Sequence, residues 1–187
     1  MDTKKEQILQ TSLLLFNNNG YENTPTSAIS LESGVATGTL FHHFKNKQQI
    51  LNQLYIDSKL SLKAQINVSL EENIDDRDKL FLIWQRHTQW AFENPHKFRF
   101  LDKYSDHSLI TSETKQKVGN TYTKLINLVR KLNEQGLTVN LPLDYLVMLT
   151  QIHFSATAKY CINHPKALKK KKLAKRMFNS YWRSITD

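Results

Sequence analysis

The stretch from Thr24 to Lys47, TPTSAISLESGVATGTLFHHFKNK, constrains the fold more tightly than any other part of the chain. Thr24 before Pro25 marks a helix start. The hydroxyl can accept from free backbone N–H groups, and proline fits the first helical position, where its missing N–H leaves no bond unmade. Ala28, Ile29 and Leu31 give this helix a small apolar side. Ser33-Gly34-Val35 ends it, because a sharp turn needs the left-handed backbone that Gly34 can adopt. A second short helix follows through Thr39-Leu40-Phe41-His42-His43-Phe44. Leu40 and Phe44, four apart, face inward together, which leaves Thr37, Thr39, His42 and His43 outside. Two short helices joined this way describe a helix-turn-helix.

The rest of the chain reads as helices. Thr3 with Glu6 is a capping box, followed by Ile8, Leu9, Leu13 and Phe16 at helical spacing and a stop at Asn17-Asn18-Asn19-Gly20. Asn46 with Gln49 is a second box. It opens a long stripe through Leu51, Leu54, Tyr55, Ser58, Leu62, Ile66 and Leu70, a connector running to about residue 70. Glu71 to Asp78 is a polar break, and Asp76 or Asp78 can start the next helix, which carries Leu80, Phe81, Ile83, Trp84, His87, Trp90 and Ala91. Pro95 restarts another with Phe98, Phe100, Leu101 and Tyr104, and a loop follows from Asp106. One helix is expected from Ser112 to Gln135, stopped by Gly136; another opens at Pro142; a last one runs from near Leu168 to Ile185. No period-two alternation persists, so the expectation is an all-α chain of about nine helices.

Composition narrows the class. No run approaches the roughly 18 consecutive apolar residues of a membrane span, and no apolar segment follows the N-terminal charges as in a signal peptide. The single cysteine, Cys161, excludes an intramolecular disulfide and fits a reducing compartment. A cytoplasmic protein without membrane contact is expected. The net charge of +9 does not locate a nucleic-acid site. Residues 1–47 hold four basic and four acidic side chains, whereas residues 159–187 hold nine basic ones against Asp187 alone. The excess lies at the end of the chain remote from the helix-turn-helix.

Gly34-Val35-Ala36-Thr37-Gly38-Thr39-Leu40-Phe41-His42-His43-Phe44, then Lys45-Asn46-Lys47, resembles the DNA-binding signature of the TetR family of bacterial transcriptional repressors. Gly20-Tyr21 and Ile50-Leu51 continue the match, which covers Ile8 to Tyr55. The resemblance implies a DNA-binding domain at residues 1–46 and an effector-binding and dimerisation domain at 47–187. It implies binding to double-stranded DNA as a homodimer, release by a small-molecule effector, and no cofactor. Thr37 and Thr39 can pair with either base or touch a thymine methyl, His42 can hydrogen-bond a purine edge or a phosphate, and Gly38 keeps the backbone low for close approach. Thr26, Ser27, His43 and Lys47 match backbone-contacting positions. Phe41 stands where relatives carry a tyrosine that donates to phosphate, and Ala36 where they carry a capping serine. Loss of that cap is worth about 1 kcal/mol unless Thr37 substitutes.

For the body, the expected dimer face is the last helix, with Ala174, Met177, Phe178, Tyr181, Trp182 and Ile185, completed by Leu149, His153 and Tyr160 to form a four-helix bundle. The expected effector pocket is aromatic: Trp84, His87, Trp90, Phe98, Phe100, Tyr104, Tyr122 and Phe154. A Trp and Phe stripe at helical spacing also serves as plain core, so these residues carry both readings. Adjacent His42 and His43 diverge on a helix and cannot share an ion, so no metal is expected. Lys169 to Lys172 reads as a solvated helix start or a contact with acidic partners. Enzyme motifs (His-Glu-x-x-His, Gly-x-Ser-x-Gly, a P-loop, a dinucleotide fingerprint) are lacking. The competing function is a non-sequence-specific nucleic-acid or anionic-surface binder using the basic C-terminus.

Overall fold

The computed structural model describes residues 3–67 and 74–186. Leu70 and the end of the expected connector lie outside the described residues. Among them are ten helices and no strand: α1 (Thr3–Asn19), α2 (Thr26–Ser33), α3 (Thr37–His43), α4 (Lys47–Ile66), α5 (Asp76–Glu93), α6 (Pro95–Tyr104), α7 (Ser112–Val118), α8 (Thr123–Glu134), α9 (Leu143–Asn163) and α10 (Lys171–Ile185). The helix expected from Ser112 to Gln135 is two, because Gly119 adopts φ 61° and ψ −166°, a conformation essentially confined to glycine. Its N–H still closes α7 on the Lys115 and Gln116 carbonyls, and the chain then leaves the helical path. Gly136 stops α8 as expected, at φ 67°, with the Leu137 N–H reaching back to Leu132.

The chain forms two compact units, and the packing does not divide at residue 46. The first unit joins the residues up to Ser61 with His96–Gly119, so α6 and α7 pack with the head. Its core is Ile8, Phe16, Ile29, Leu40, Ile50, Leu51, Phe100 and neighbours, all fully buried. Each such side chain contributes about 1.5–3 kcal/mol of apolar burial. On α1 the buried stripe runs Ile8, Ser12, Leu15 and Phe16 rather than through Leu13. Leu31, expected on the apolar side of α2, is 83% exposed; Ile29 alone anchors that helix as a large apolar group.

The second unit comprises Leu62–Pro95 and Asn120–Asp187, with α5 laid along α9, and α8 and α10 on α9. Its interior is aromatic: Phe81, Trp84, Phe178, Tyr181 and Phe154 meet ring to ring at 4.9–5.8 Å. α5 starts at Asp76, one of the two expected starts, and its cap is Asp75, whose carboxylate accepts from the Asp78 N–H at 2.7 Å. Asp76 takes the Lys131 ammonium of α8 at 2.6 Å and Lys79 at 3.4 Å. The Lys131 bond, first, holds the Asp76 carboxyl below its ordinary value. A depressed carboxyl stabilises the fold above the unfolded-state pKa and loses that stabilisation as pH falls through the folded value. Acid unfolding of an Asp76→Asn variant should therefore show a smaller stability loss below pH 4 than the parent chain, with no difference in pH slope near neutrality. Equal slopes in acid would remove this pair from the account.

Candidate DNA-binding surface

The helix-turn-helix is built by a few buried anchors. Gly34 caps α2 at φ 67° and ψ 18°, and the Val35 N–H returns to Ser30 at 3.1 Å. Val35, Leu40 and Phe44 are buried and pin α3 from beneath. With that side fixed, the opposite side is open: Thr37, Gly38 and His42 are exposed, Thr39 and His43 half-buried, and Phe41 is 46% exposed. On α2, Ser27 is exposed and Thr26 half-buried. Thr24 does not cap α2, contrary to expectation. It is buried and its hydroxyl donates to the Gly20 carbonyl at 2.7 Å, which ties the α1–α2 turn instead. The N-cap of α3 is Ala36 at φ −55° and ψ 140°, a backbone suited to capping with no side chain able to do it. Ala36→Ser should raise stability by about 1 kcal/mol in chemical denaturation; no gain would mean the first turn of α3 is satisfied by other means.

Lys47 is already engaged. Its ammonium donates to the Tyr21 carbonyl at 2.7 Å and sits 4.2 Å from the Tyr21 ring centroid. An ammonium has three donors, so one bond to Tyr21 steadies Lys47 and leaves two for phosphate oxygens. The start of α4 is capped by Asn46, which accepts from the Gln49 N–H at 2.9 Å, while Gln49 reaches back to the Lys45 N–H at 2.8 Å. The His42 and His43 rings meet edge to face at 5.4 Å. No cluster of three metal-ligating side chains occurs among the described residues.

Two residues fix this surface: Tyr104, expected on a pocket wall, and Asn52, for which no role is expected. Tyr104 of α6 is buried; its hydroxyl donates to the Phe16 carbonyl and accepts from the Tyr21 N–H, each at 3.0 Å. Asn52 of α4 donates to the Gln48 and Leu109 carbonyls at 2.8 and 2.9 Å and accepts from the Thr111 N–H at 3.0 Å. The loop expected only as a connection after α6 is thus latched to α4. No local signal marks either residue, because their partners lie 57 to 88 positions away.

Of the aromatic set expected to line a pocket, Phe98, Phe100 and Tyr104 belong to the first unit, where they pack beneath the head. Trp84, His87, Trp90, Tyr122 and Phe154 belong to the second. There His87 meets Phe154 at 5.5 Å and Tyr122 at 6.1 Å, and burial raises the Tyr122 phenol above its ordinary value. The eight therefore divide between the two units, three in the first and five in the second. A cleft of about 260 Å³ in the second unit is lined by Trp84 with Gln65, Gln85, Arg86, Leu168 and Ala174 among others, and Trp84 is the one member of the expected set on its wall.

The expected dimer face is corrected in a similar way. Phe178, Tyr181 and Ile185 are at most 2% exposed within their own chain, so they are core and have no surface to offer a partner. Tyr181 bonds Thr150 at 2.9 Å inside that core. Of the others, Tyr160 on α9 is exposed, and Ala174, Met177 and Trp182 on α10 with Leu149 and His153 on α9 are half-buried. Burial depresses the His153 imidazole below its ordinary value, favouring the neutral ring. Beside them stand three that were missed: Tyr145, Met148 and Ile152, exposed at 43%, 47% and 54%. Their spacing along α9 was readable, but a uniformly apolar helix does not say which side its own fold covers.

Residues 8–54 match the family model described as "Bacterial regulatory proteins, tetR family". Residues 8–54 thus carry the TetR-family DNA-binding domain. Over 84 residues the chain is 30% identical to the Fatty acid metabolism regulator protein of Bacillus subtilis (strain 168), covering 45% of this chain and 43% of that one. The chain thus spans less than half the length of that curated relative. A solved tetR-family structure from Shewanella sp. PV-4 superposes with a TM-score of 0.84 at 28% identity, covering 98% of both chains. A TetR-family structure from Marinobacter aquaeolei VT8 shares the fold, with a TM-score of 0.82 at 19% identity over 100% of this chain and 97% of that one. The helical body as well as the head therefore follows the family fold.

Proposed function

We propose that this chain is a sequence-specific DNA-binding transcriptional regulator of the TetR family, a repressor that holds a palindromic operator as a homodimer and is released by a small-molecule effector. The observation that carries this reading is the outward side of α3, where Thr37, Gly38 and His42 are exposed and Thr39 half-buried while Leu40 and Phe44 are sealed beneath. A short helix held this way enters a major groove, and phosphate contacts set its register. In this reading Thr26, Ser27, His43 and Lys47 meet the backbone, and Phe41, lacking a hydroxyl, makes apolar contact. Residues 1–46 read DNA and 47–187 dimerise and take the effector. The protein acts in the cytoplasm; no described helix is long and apolar enough to cross a membrane. The revised dimer face is the α9 stripe of exposed Tyr145, Met148, Ile152 and Tyr160, flanked by half-buried Leu149 and His153 and by half-buried Met177 and Trp182 of α10, largely apolar in chemistry.

Selection of bound fragments from random duplex DNA tests the reading. A two-fold symmetric site is expected, with half-sites about one helical turn apart or a multiple of it. Thr39→Ala and His42→Ala should each weaken the selected site by about 1 kcal/mol, less than a full bidentate contact, and leave random DNA unaffected. Enrichment of no motif, or equal weakening on all sequences, would refute sequence reading by α3.

A further inference from the structure

We propose that the turn joining α9 to α10, with the cleft beside it, binds an organic anion: a carboxylate or phosphate head at the start of α10 and a compact apolar or aromatic body in the cleft. This deepens the ligand-responsive reading above and rests on it.

Three observations converge. First, α10 has no side-chain cap. Its N-cap residue is Lys170, which carries donors only, and the turn itself satisfies the Leu173 and Ala174 N–H groups, both on the Lys170 carbonyl at 2.9 and 3.1 Å. A 15-residue helix begun this way presents free N–H groups and the positive end of its dipole.

Second, Lys169, Lys170, Lys171, Lys172, Lys175 and Arg176 crowd this same end, all exposed and none with a carboxylate partner among the described residues. Cations at a helix N-terminus are unfavourable, and like charges at i and i+4, as in Lys171 with Lys175 and Lys172 with Arg176, repel. Folding gains nothing from this placement. A bound anion adds attraction to each of these cations and to the helix end, which offsets the repulsion.

Third, Leu168 and Ala174, which bracket the lysines, form one wall of the cleft, opposite Gln65 of α4 and Trp84, Gln85 and Arg86 of α5. Trp84 is 2% exposed and its Nε1–H has no acceptor among the described residues. A buried donor without a partner is costly, and it belongs to a ring on the wall of the cleft. The cleft, about 260 Å³, falls just below the range of roughly 300–1,000 Å³ typical of ligand sites, which fits a single ring or a short chain rather than a large molecule.

The test titrates the full chain with phenyl phosphate, octanoate and inorganic phosphate, read by calorimetry and tryptophan fluorescence. At least one organic probe should bind once per chain with a dissociation constant in the millimolar range or below. Inorganic phosphate should bind about tenfold more weakly, having no body for the cleft. Replacing Lys169, Lys170, Lys171 and Lys172 together by glutamine should weaken the organic probe by at least about tenfold, with thermal unfolding at or above the parent's because the removed charges oppose α10. Ala174→Leu should fill the cleft and erase the organic probe's advantage, and Trp84→Phe should weaken it several-fold while keeping the ring. No binding of either organic probe in the millimolar range overturns the proposal, as does inorganic phosphate binding equally well or a four-lysine variant that binds like the parent. The selected operator separates the two readings. If DNA is bound and no probe is, only this site falls; if probes bind and no palindrome is selected, the regulator reading falls and the site stands.

Discussion

Ile152→Asp is expected to leave the chain folded and monomeric, and to lower affinity for a palindromic operator by at least about 100-fold, the scale on which linked half-site binding exceeds single-site binding. Ile152 is 54% exposed on α9, between Met148 and Tyr160 on the same side, so a carboxylate there disturbs nothing within its own chain. Within a dimer it would bury two unpaired charges at an apolar contact, a cost of several kcal/mol. Tyr181→Asp is the contrasting variant. Tyr181 is fully buried, rings with Phe154 and Phe178, and bonds Thr150, so its replacement should unfold the protein rather than split a dimer. Light scattering and thermal unfolding on the two variants decide the matter. A dimeric Ile152→Asp, or a folded, monomeric Tyr181→Asp, would return the interface to the inner stripe of α10.

Asn52→Ala should cost about 2–4 kcal/mol of stability and reduce operator affinity with it. Asn52 is buried and makes three backbone bonds, two of them across to the loop after α6. Truncation leaves the Thr111 N–H without that acceptor and removes one donor from the Leu109 carbonyl, each loss worth about 1–3 kcal/mol where water cannot replace the partner. Gln48 also donates to the Leu109 carbonyl, at 3.1 Å, so the larger share falls on Thr111. Because α4 opens with Lys47, and Lys47 bonds the turn at Tyr21, loosening α4 should also loosen the phosphate-facing edge of the head. Urea denaturation and a binding titration of the variant check both parts. A loss confined to stability, with operator affinity intact at a temperature where the variant is folded, would show that the latch supports the fold and not the DNA surface.

The features legible in the chain alone were those set by neighbours a few residues apart. The glycine at 34 that must turn, the Leu40 and Phe44 pair that must bury, and the caps at Asn46 and Gly136 all act over one or two helical turns, so their residue types reveal them. The exposed side of α3 follows from the same spacing. Even at this range a competing partner can win, as when the Thr24 hydroxyl closes on the Gly20 carbonyl in place of the free N–H groups of α2.

What only the tertiary structure decided is which of several equally apolar faces is covered. Along α9 large apolar groups occur on every side, and periodicity cannot distinguish Phe154, sealed against Tyr181, from Ile152, left open. Phe98, Phe100 and Tyr104 looked like pocket walls because of their chemistry, yet α6 packs into the first unit and gives the Tyr104 hydroxyl to α1. Such choices depend on contacts more than 80 residues apart for Tyr104 and 57 or more for the Asn52 latch. Burial is a property of the whole packed unit, and no local pattern of residues encodes it.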